Sequence, residues 1–172
     1  GDGGVRVAVT GTPGTGKTTA TELVESDLDP IHLNEVIREE DLATGRDEQR
    51  DSLVADLDAV ADWLDDREDC LLDSHLAHQF AADRVVVLRC HPEELERRLT
   101  ERGEPEAKAT ENAESEALDV ILAEAVERHG EDSVYEVDAT DRSPEAVARE
   151  IERVIDGERE PSAGTVSYVD YL

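Results

Sequence analysis

The stretch Gly11-Thr-Pro-Gly-Thr-Gly-Lys-Thr-Thr19 fits the phosphate-loop pattern G-x-x-x-x-G-K-[ST] at all four fixed positions. A short apolar run rich in β-branched residues, 5–10, precedes it, and a helical pattern opens just after it at Ala20. Strand, glycine turn and helix in this order are the context that confirms the motif, so a turn without a ligand is the weaker interpretation. The glycine spacing also differs from G-x-G-x-x-G, which disfavours a dinucleotide-binding fold.

The residue types of this loop predict how it binds phosphate. Its glycines, which let the backbone N–H groups approach phosphate oxygens and leave space for them, are Gly11, Gly14 and Gly16. Lys17 is expected to place a positive charge against the terminal phosphates, and the Thr18 hydroxyl is the expected protein ligand of Mg²⁺. Thr19 is predicted to contact the outer phosphates next.

The composition is strongly acidic, with 45 Asp and Glu against 17 Lys and Arg and a formal net charge of -28. The acids interleave with regular apolar periodicity, which predicts a folded domain with an acidic surface rather than disorder. This composition is typical of halophilic proteins, because molar salt shortens the Debye length to about 3 Å and screens self-repulsion. No basic patch is visible, so no direct binding of DNA is predicted.

The length of 172 residues predicts one domain over 1–172. No apolar run approaches a membrane span and no secretion signal is visible, so a cytoplasmic protein without membrane contact is expected. Cys70 and Cys90 each lie at the end or edge of an apolar run and are predicted to be small buried residues without a disulfide.

Strand and helix patterns alternate along the chain, which predicts an α/β fold with a five-stranded parallel sheet flanked by helices. Strands are predicted at 5–10, 30–33, 69–73, 84–90 and 133–137, and helices at 16–26, 34–41, 52–66, 92–102, 106–128 and 144–156. An apolar stripe within the fifth helix, from Leu118 to Val126, is predicted to be core. The tail, 158–172, is expected to dock as an irregular segment.

Asp73-Ser-His75 follows a predicted strand, at the sheet edge where the phosphate loop is also expected. Asp73 is predicted to hold Mg²⁺, directly or through water, and His75 to orient a water or the transferred phosphoryl group. The alternatives are a helix cap for Asp73 and a surface position for His75. The other histidines lack such placement; they are His32, His78, His91 and His129.

Four basic residues outside the loop are further candidates. Arg38, in an acidic helix, is predicted to fork onto the phosphate of a second substrate, or else to pair with a neighbouring acid. Arg98 and Arg102 lie four apart on one helix face and would stabilise charge on a transferred phosphoryl group, or else pair with nearby glutamates. Lys108, one of only two lysines, is a candidate for a mobile lid; the alternative is a solvated helix residue.

Five segments together resemble the adenylate kinase isoenzyme 6 family, the small nucleoside-monophosphate kinases of archaea and eukaryotic nuclei. They are 11–19, 33–40, 72–75, 85–103 and 108–116, so the resemblance covers nearly the whole chain. The phosphate loop alone would identify only the superfamily, whereas its combination with Asp73-Ser-His75 and the stretch 102–112 is much narrower. One departure is Glu104, where the family often has an aromatic residue, and it puts lid packing and base stacking in question.

The resemblance implies a P-loop NTPase fold of the nucleoside-monophosphate-kinase type. It implies a monophosphate-binding segment at about 30–52 and a short lid at about 100–110. ATP would lie on the phosphate loop, from Gly11 to Thr19, with Arg102 from the lid. Asn34 and Arg38 would bind the monophosphate, and Lys17, Asp73, His75 and Arg102 would form the catalytic group, with Mg²⁺ as cofactor.

The resemblance also implies an activity and partners. Proteins of this family transfer the terminal phosphate of ATP to AMP, hydrolyse ATP, and are linked to small-ribosomal-subunit (rRNA) maturation through a ribosomal protein. The expected form is a monomer or a weak, partner-dependent complex. The alternative is a protein that is primarily an ATP-driven ribosome-assembly switch, with incidental kinase activity; a kinase of another small metabolite is a third, poorer interpretation.

Overall fold

A five-stranded sheet organises the computed structural model, which describes residues 5–47 and 52–172. Its strands are β1 (Arg6–Gly11), β2 (Asp29–His32), β5 (Cys70–Asp73), β6 (Arg84–Arg89) and β7 (Val134–Asp138). They lie in the order β2-β5-β1-β6-β7, and every neighbouring pair is parallel. The predicted parallel sheet is therefore confirmed, and the carboxyl ends of all five strands share one edge.

Seven α-helices in the described residues flank this sheet; six lie between strands in the chain and the seventh follows the last strand. They are α1 (Lys17–Glu22), α2 (Leu33–Glu39), α3 (Leu57–Leu64), α4 (Pro92–Glu101), α5 (Glu106–Ala117), α6 (Val120–His129) and α7 (Pro144–Ile155). Side chains alternate along β1: Ala8 packs with a cluster fed by α2, α3 and α6, while Val7 and Val9 pack with one fed by α1 and α7. Both faces of the sheet are thus covered, as the apolar strands require.

The predicted helix at 52–66 is wrong in its first part. Residues Ser52–Ala55 form strand β4, which pairs antiparallel with β3 (Ala43–Asp47). The helix α3 begins later because the Asp56 carboxylate accepts a hydrogen bond from the Ala59 amide at 3.1 Å, which caps its first turn. The predicted monophosphate-binding segment therefore contains a hairpin, whose tip at 48–51 lies outside the described residues.

The predicted helix at 106–128 is two helices. Asp119 between α5 and α6 has a positive φ of 57°, and its carboxylate lies 2.5 Å from the Arg89 guanidinium. The break thus lets the Asp119 side chain reach the buried Arg89. The helical periodicity of the sequence does not reveal this contact. Leu118 at this break is 59% exposed, so its assignment to the core is wrong, while Leu122 and Ala125 of the same stripe are buried.

The tail beyond α7 docks against the end of the sheet without regular structure except a short 3-10 turn, Val169–Tyr171, as predicted. The Ser162 amide donates to the Val134 carbonyl at 3.0 Å, and the Tyr171 hydroxyl donates to Glu96 at 2.9 Å. Both cysteines are buried free thiols, also as predicted. Among the described helices, none combines the length and apolarity needed to cross a bilayer.

Candidate active site

The phosphate loop joins the end of β1 to α1 at the carboxyl edge of the sheet. The Lys17 ammonium lies back on this loop and donates to the carbonyls of Gly11 at 2.9 Å and Thr12 at 3.2 Å. Burial lowers the pKa of Lys17 to about 8, and the nearby Asp73 carboxylate opposes this shift. The loop therefore holds the Lys17 ammonium against its own carbonyl groups.

Gly14 is required by packing as well as by backbone conformation. Its φ is 96°, and an added Cβ would lie 2.8 Å from a methyl carbon of Leu95 and 2.9 Å from one of Leu99. The glycine thus lets α4 pack directly against the loop. This corrects the expectation that all the loop glycines clear space for phosphate, because only Gly16, with no atom within 4 Å of an added Cβ, faces open space.

Asp73, the last residue of β5, gathers three side chains. Its carboxylate accepts hydrogen bonds from the hydroxyls of Thr18 at 3.1 Å and Thr21 at 2.8 Å, and Nδ1 of His32 also bonds to it. His32 is the strand partner of Asp73 in the register of β2 and β5. The interpretation that His32 lacks such placement is therefore wrong; its position at the end of a weak predicted strand was the available signal.

The chemistry of Thr18 and Asp73 fits Mg²⁺. A hydroxyl and a carboxylate are hard oxygen ligands, and Mg²⁺ in kinases keeps several waters and completes its octahedron with substrate phosphate oxygens. Within residues 5–47 and 52–172, no three His, Cys, Asp or Glu side chains form a group that could hold a metal alone. Thr18 would hold the ion directly and Asp73 directly or through water, and the bound ion would neutralise phosphate charge.

A cleft of about 760 Å³ opens above the loop. It lies between α2, the β5 end and the connection from α4 to α5. Its lining includes five of the predicted site residues, namely Asn34, Arg38, His75, Arg102 and Lys108, together with Thr12 and Pro13 of the loop. The fold thus brings the loop, the monophosphate candidates and the lid candidates to one space.

His75 lies half-buried in the wall of this cleft. Burial lowers its pKa to about 4, and the positive charge of Lys17 lowers it further. The ring is therefore neutral at pH 7, so one ring nitrogen is available to accept a hydrogen bond from a water or hydroxyl group. This suits the predicted role of orienting a water.

The predicted lid comprises the end of α4, the connection 102–105 and the first turns of α5. Glu104, the residue that departs from the family pattern, lies 3.7 Å from Arg102 and 3.3 Å from Lys108. Arg102 is 55% exposed along its side chain. The Glu104 carboxylate, which stands where the family often has an aromatic ring, therefore links the end of α4 to α5 through two cations.

Arg98 does not line the cleft. It pairs with Glu94 at 3.0 Å and donates to the carbonyls of Gly14 at 3.4 Å and Ala139 at 3.3 Å. Its position behind the loop matches the alternative of pairing with a glutamate and does not support a role in a lid.

A buried histidine that the sequence did not single out lies below the loop. The His78 ring is hydrogen-bonded at both nitrogens, to the Thr10 hydroxyl at 2.7 Å and to the Glu124 carboxylate at 2.8 Å. Thr10 directly precedes the loop and Glu124 lines the cleft. These partners come from β1 and α6, so no local pattern indicates this contact.

Comparisons with known proteins agree with this geometry. A family model described as an AAA domain matches residues 7–119. Curated relatives named "Putative adenylate kinase" include one from Natronomonas pharaonis, 67% identical over 168 residues, covering 98% of this chain and 100% of the relative. One from Halobacterium salinarum is 59% identical over 169 residues, covering 98% and 100%, and one from Methanocaldococcus jannaschii is 36% identical over 177 residues, covering 98% and 97%.

Among solved structures, a shikimate kinase from Bacteroides thetaiotaomicron has a TM-score of 0.61 at 20% identity, covering 88% of this chain and 98% of that one. A sugar kinase from Janibacter sp. has a TM-score of 0.58 at 20% identity, covering 89% and 95%. At such low identity these likenesses concern the fold alone. Together with the parallel sheet and the phosphate loop, they define a P-loop kinase fold.

The closer relatives give the family. The chain belongs to the family of the proteins named "Putative adenylate kinase", to which it is 36% to 67% identical over nearly its full length. This confirms the resemblance seen in the sequence and supports a phosphotransferase.

Proposed function

We propose that this protein is an adenylate kinase that transfers the terminal phosphate of ATP to AMP. The observation that carries the proposal is the cleft that Thr12 of the phosphate loop shares with Arg38 and Arg102. A phosphoryl donor on the loop and an acceptor phosphate on Arg38 would face each other across the strand ends. The relatives named "Putative adenylate kinase" support the same reaction.

The reaction is an in-line displacement. An oxygen of the AMP phosphate forms a bond to the terminal phosphorus of ATP while the bond from that phosphorus to the bridging oxygen of ADP breaks. Lys17 and Arg102 balance the negative charge on the transferred group, and closure of the lid over the cleft would exclude water. The donor and acceptor are both positioned by the protein, so no covalent intermediate is required.

The same site would support hydrolysis of ATP. His75 is neutral near pH 7, lines the cleft and can accept a hydrogen bond from a water that takes the place of the AMP phosphate. The His75→Gly variant is expected to lose hydrolysis more than transfer.

A second candidate function is an ATP-driven switch in small-ribosomal-subunit maturation, with a ribosomal protein as partner. Its support is the net charge of -28, which complements a basic partner. ATP-dependent copurification with a ribosomal protein would favour it. We place both activities in the cytoplasm, at the high salt that the acidic surface suits.

Turnover of ATP distinguishes the two candidates. ADP and free phosphate would be followed separately in about molar salt, with and without AMP. In an adenylate kinase, adding AMP increases the formation of ADP well above the release of free phosphate, whereas in a switch ADP and free phosphate form at equal rates that AMP does not change. The Lys17→Ala variant should lose most turnover, whereas Arg153→Ala, at a half-exposed position on α7 paired with Glu150, should retain it. Normal turnover in Lys17→Ala would contradict the proposal.

A further inference from the structure

A buried carboxylate on α5 touches the phosphate loop from behind. Glu116 is 3% exposed, and its Oε1 accepts a hydrogen bond from the Thr12 hydroxyl at 2.9 Å. Thr12 and Glu116 are 104 positions apart in the chain. Thr12 is the second residue of the phosphate-loop motif and is itself only 1% exposed. This hydrogen bond therefore connects the loop directly to α5, the helix whose first turns belong to the predicted lid.

The other oxygen of Glu116 is held equally firmly. Its Oε2 accepts from the Cys90 amide at 2.8 Å and from Nε of Arg89 at 3.1 Å, both at the carboxyl end of β6. Arg89 is 1% exposed and also pairs with Glu136 at 2.7 Å and with Asp119. Charge-assisted hydrogen bonds of this kind fix a carboxylate in one orientation. Glu116 is thus anchored to the sheet as well as to Thr12.

Thr12 in turn organises the loop. Its carbonyl accepts from the Thr15 amide at 3.2 Å, from the Thr15 hydroxyl at 2.9 Å and from the Lys17 ammonium at 3.2 Å. A rotation of Thr12 would move this carbonyl and the groups that it holds. The hydrogen bond from the Thr12 hydroxyl to Glu116 opposes that rotation.

The same helix carries the cleft wall. The cleft is lined by three residues of α5, namely Lys108, Asn112 and Ser115, and Glu116 is the residue after Ser115. One carboxylate therefore fixes both the phosphate loop and the helix opposite it relative to β6.

We propose that Glu116 is a positioning residue for ATP: through Thr12 it holds the phosphate loop in the conformation that binds the triphosphate. This rests on the proposed function in that ATP is the ligand of the loop. Glu116 does not contact the reacting atoms. Its effect is expected in ATP affinity, with no comparable change in affinity for AMP.

The first test uses a matched pair of variants, Glu116→Gln and Glu136→Gln. Both glutamates are buried partners of Arg89, but Glu136 contacts the tail at Thr165 and not the loop. An amide has a single acceptor oxygen, so in Glu116→Gln the new side chain cannot accept from all three donors, and we expect its oxygen to stay with Arg89 and Cys90. The amide nitrogen then faces the Thr12 hydroxyl, which loses its charged acceptor and can form only a weaker, neutral hydrogen bond as the acceptor.

The readout is the dissociation constant of Mg²⁺-ATP by equilibrium titration in about molar salt, alongside thermal unfolding. Both variants should lose similar stability, because each removes one charge beside Arg89. Only Glu116→Gln should weaken ATP binding, by about tenfold, the magnitude expected for a buried hydrogen bond to a charged group. Equal ATP affinity in the two variants would overturn the proposal.

A second pair of variants changes Thr12 on the loop and leaves Arg89 and its carboxylate partners unchanged. It therefore keeps the test valid if Glu116→Gln does not fold. Thr12→Val removes the hydroxyl at nearly constant volume and should weaken ATP binding about tenfold. Thr12→Ser restores the hydroxyl and should recover most of that loss. The double variant Thr12→Val with Glu116→Gln should bind ATP no more weakly than Thr12→Val alone, because both substitutions act on the same contact.

Unchanged ATP affinity in Thr12→Val, or additive losses in the double variant, would overturn the inference while leaving the proposed function standing. A native chain that did not bind ATP at all would overturn both. AMP-dependent formation of ADP is measured separately, so failure of the kinase reaction is distinguishable from failure of the positioning role.

Discussion

The Thr18 hydroxyl donates a 3.1 Å hydrogen bond to the Asp73 carboxylate across 55 positions of the chain. Thr18 lies in the first turn of α1 and Asp73 ends β5, the neighbour of β1, so the sheet brings a hydroxyl and a carboxylate together at its carboxyl edge. This hydrogen bond joins the phosphate loop to the Asp73-Ser-His75 segment, so the two motifs form a single site.

This pairing predicts the response of Asp73→Asn to Mg²⁺. An amide has no charge and one acceptor oxygen, so it would attract the cation less and satisfy only one of the two threonine hydroxyls. The Mg²⁺ concentration for half-maximal turnover should rise at least about tenfold, with a lower maximal rate. The control is Asp62→Asn on the exposed side of α3, and an unchanged Mg²⁺ requirement in Asp73→Asn would exclude this role for Asp73.

Arg38→Ala should affect one substrate only. Arg38 lines the part of the cleft formed by α2, so its loss should raise KM for AMP about tenfold or more and leave KM for ATP nearly unchanged. Arg38→Lys should recover part of the loss, because an ammonium keeps the charge without the forked geometry. Arg97→Ala, which removes an exposed arginine paired with Glu94 on α4, is the control. Equal effects on both KM values would contradict this assignment.

Acid should destabilise the fold through His78. Burial lowers its pKa below the ordinary value of 6.5, although the Glu124 carboxylate opposes the shift. Because the folded pKa is the lower one, the stabilising contribution is present above about pH 6.5 and is lost as the pH falls through and below that value. The free energy of unfolding in molar salt should therefore decrease from pH 7.5 to 5.5.

The His78→Gln variant isolates this effect. It should be less stable than the native chain at pH 7.5, because the bridge between Thr10 and Glu124 is disturbed, but it should lose less stability on acidification. An identical pH slope in both proteins would show that His78 does not contribute.

Salt should stabilise the protein. With a net charge of -28, like charges repel across the surface, and this repulsion is screened when the Debye length falls from about 10 Å at 0.1 M to about 3 Å at 1 M. The melting temperature should rise between these two concentrations of KCl. A fall would mean that the acidic surface does not limit stability.

Local patterns in the sequence predicted most of the fold. The phosphate loop, the β-branched strands and the proline-initiated helices α4 and α7 each follow from neighbouring residues, so the five-stranded sheet and its edge could be predicted. The hairpin of β3 and β4 could not, because its short strands lack a regular alternation. The break at Asp119 was missed for a different reason: the Asp119 carboxylate pairs there with Arg89, which is distant in the chain.

The sequence by itself therefore determined the loop chemistry and the candidates at the strand end, since each is written in consecutive residues. Only the tertiary structure decided that Arg38 and Arg102 line the same cleft, that Arg98 lies behind the loop, and that Glu116 holds Thr12. These relationships join elements up to 104 positions apart, and they exist because parallel strands bring every strand end to one edge of the sheet.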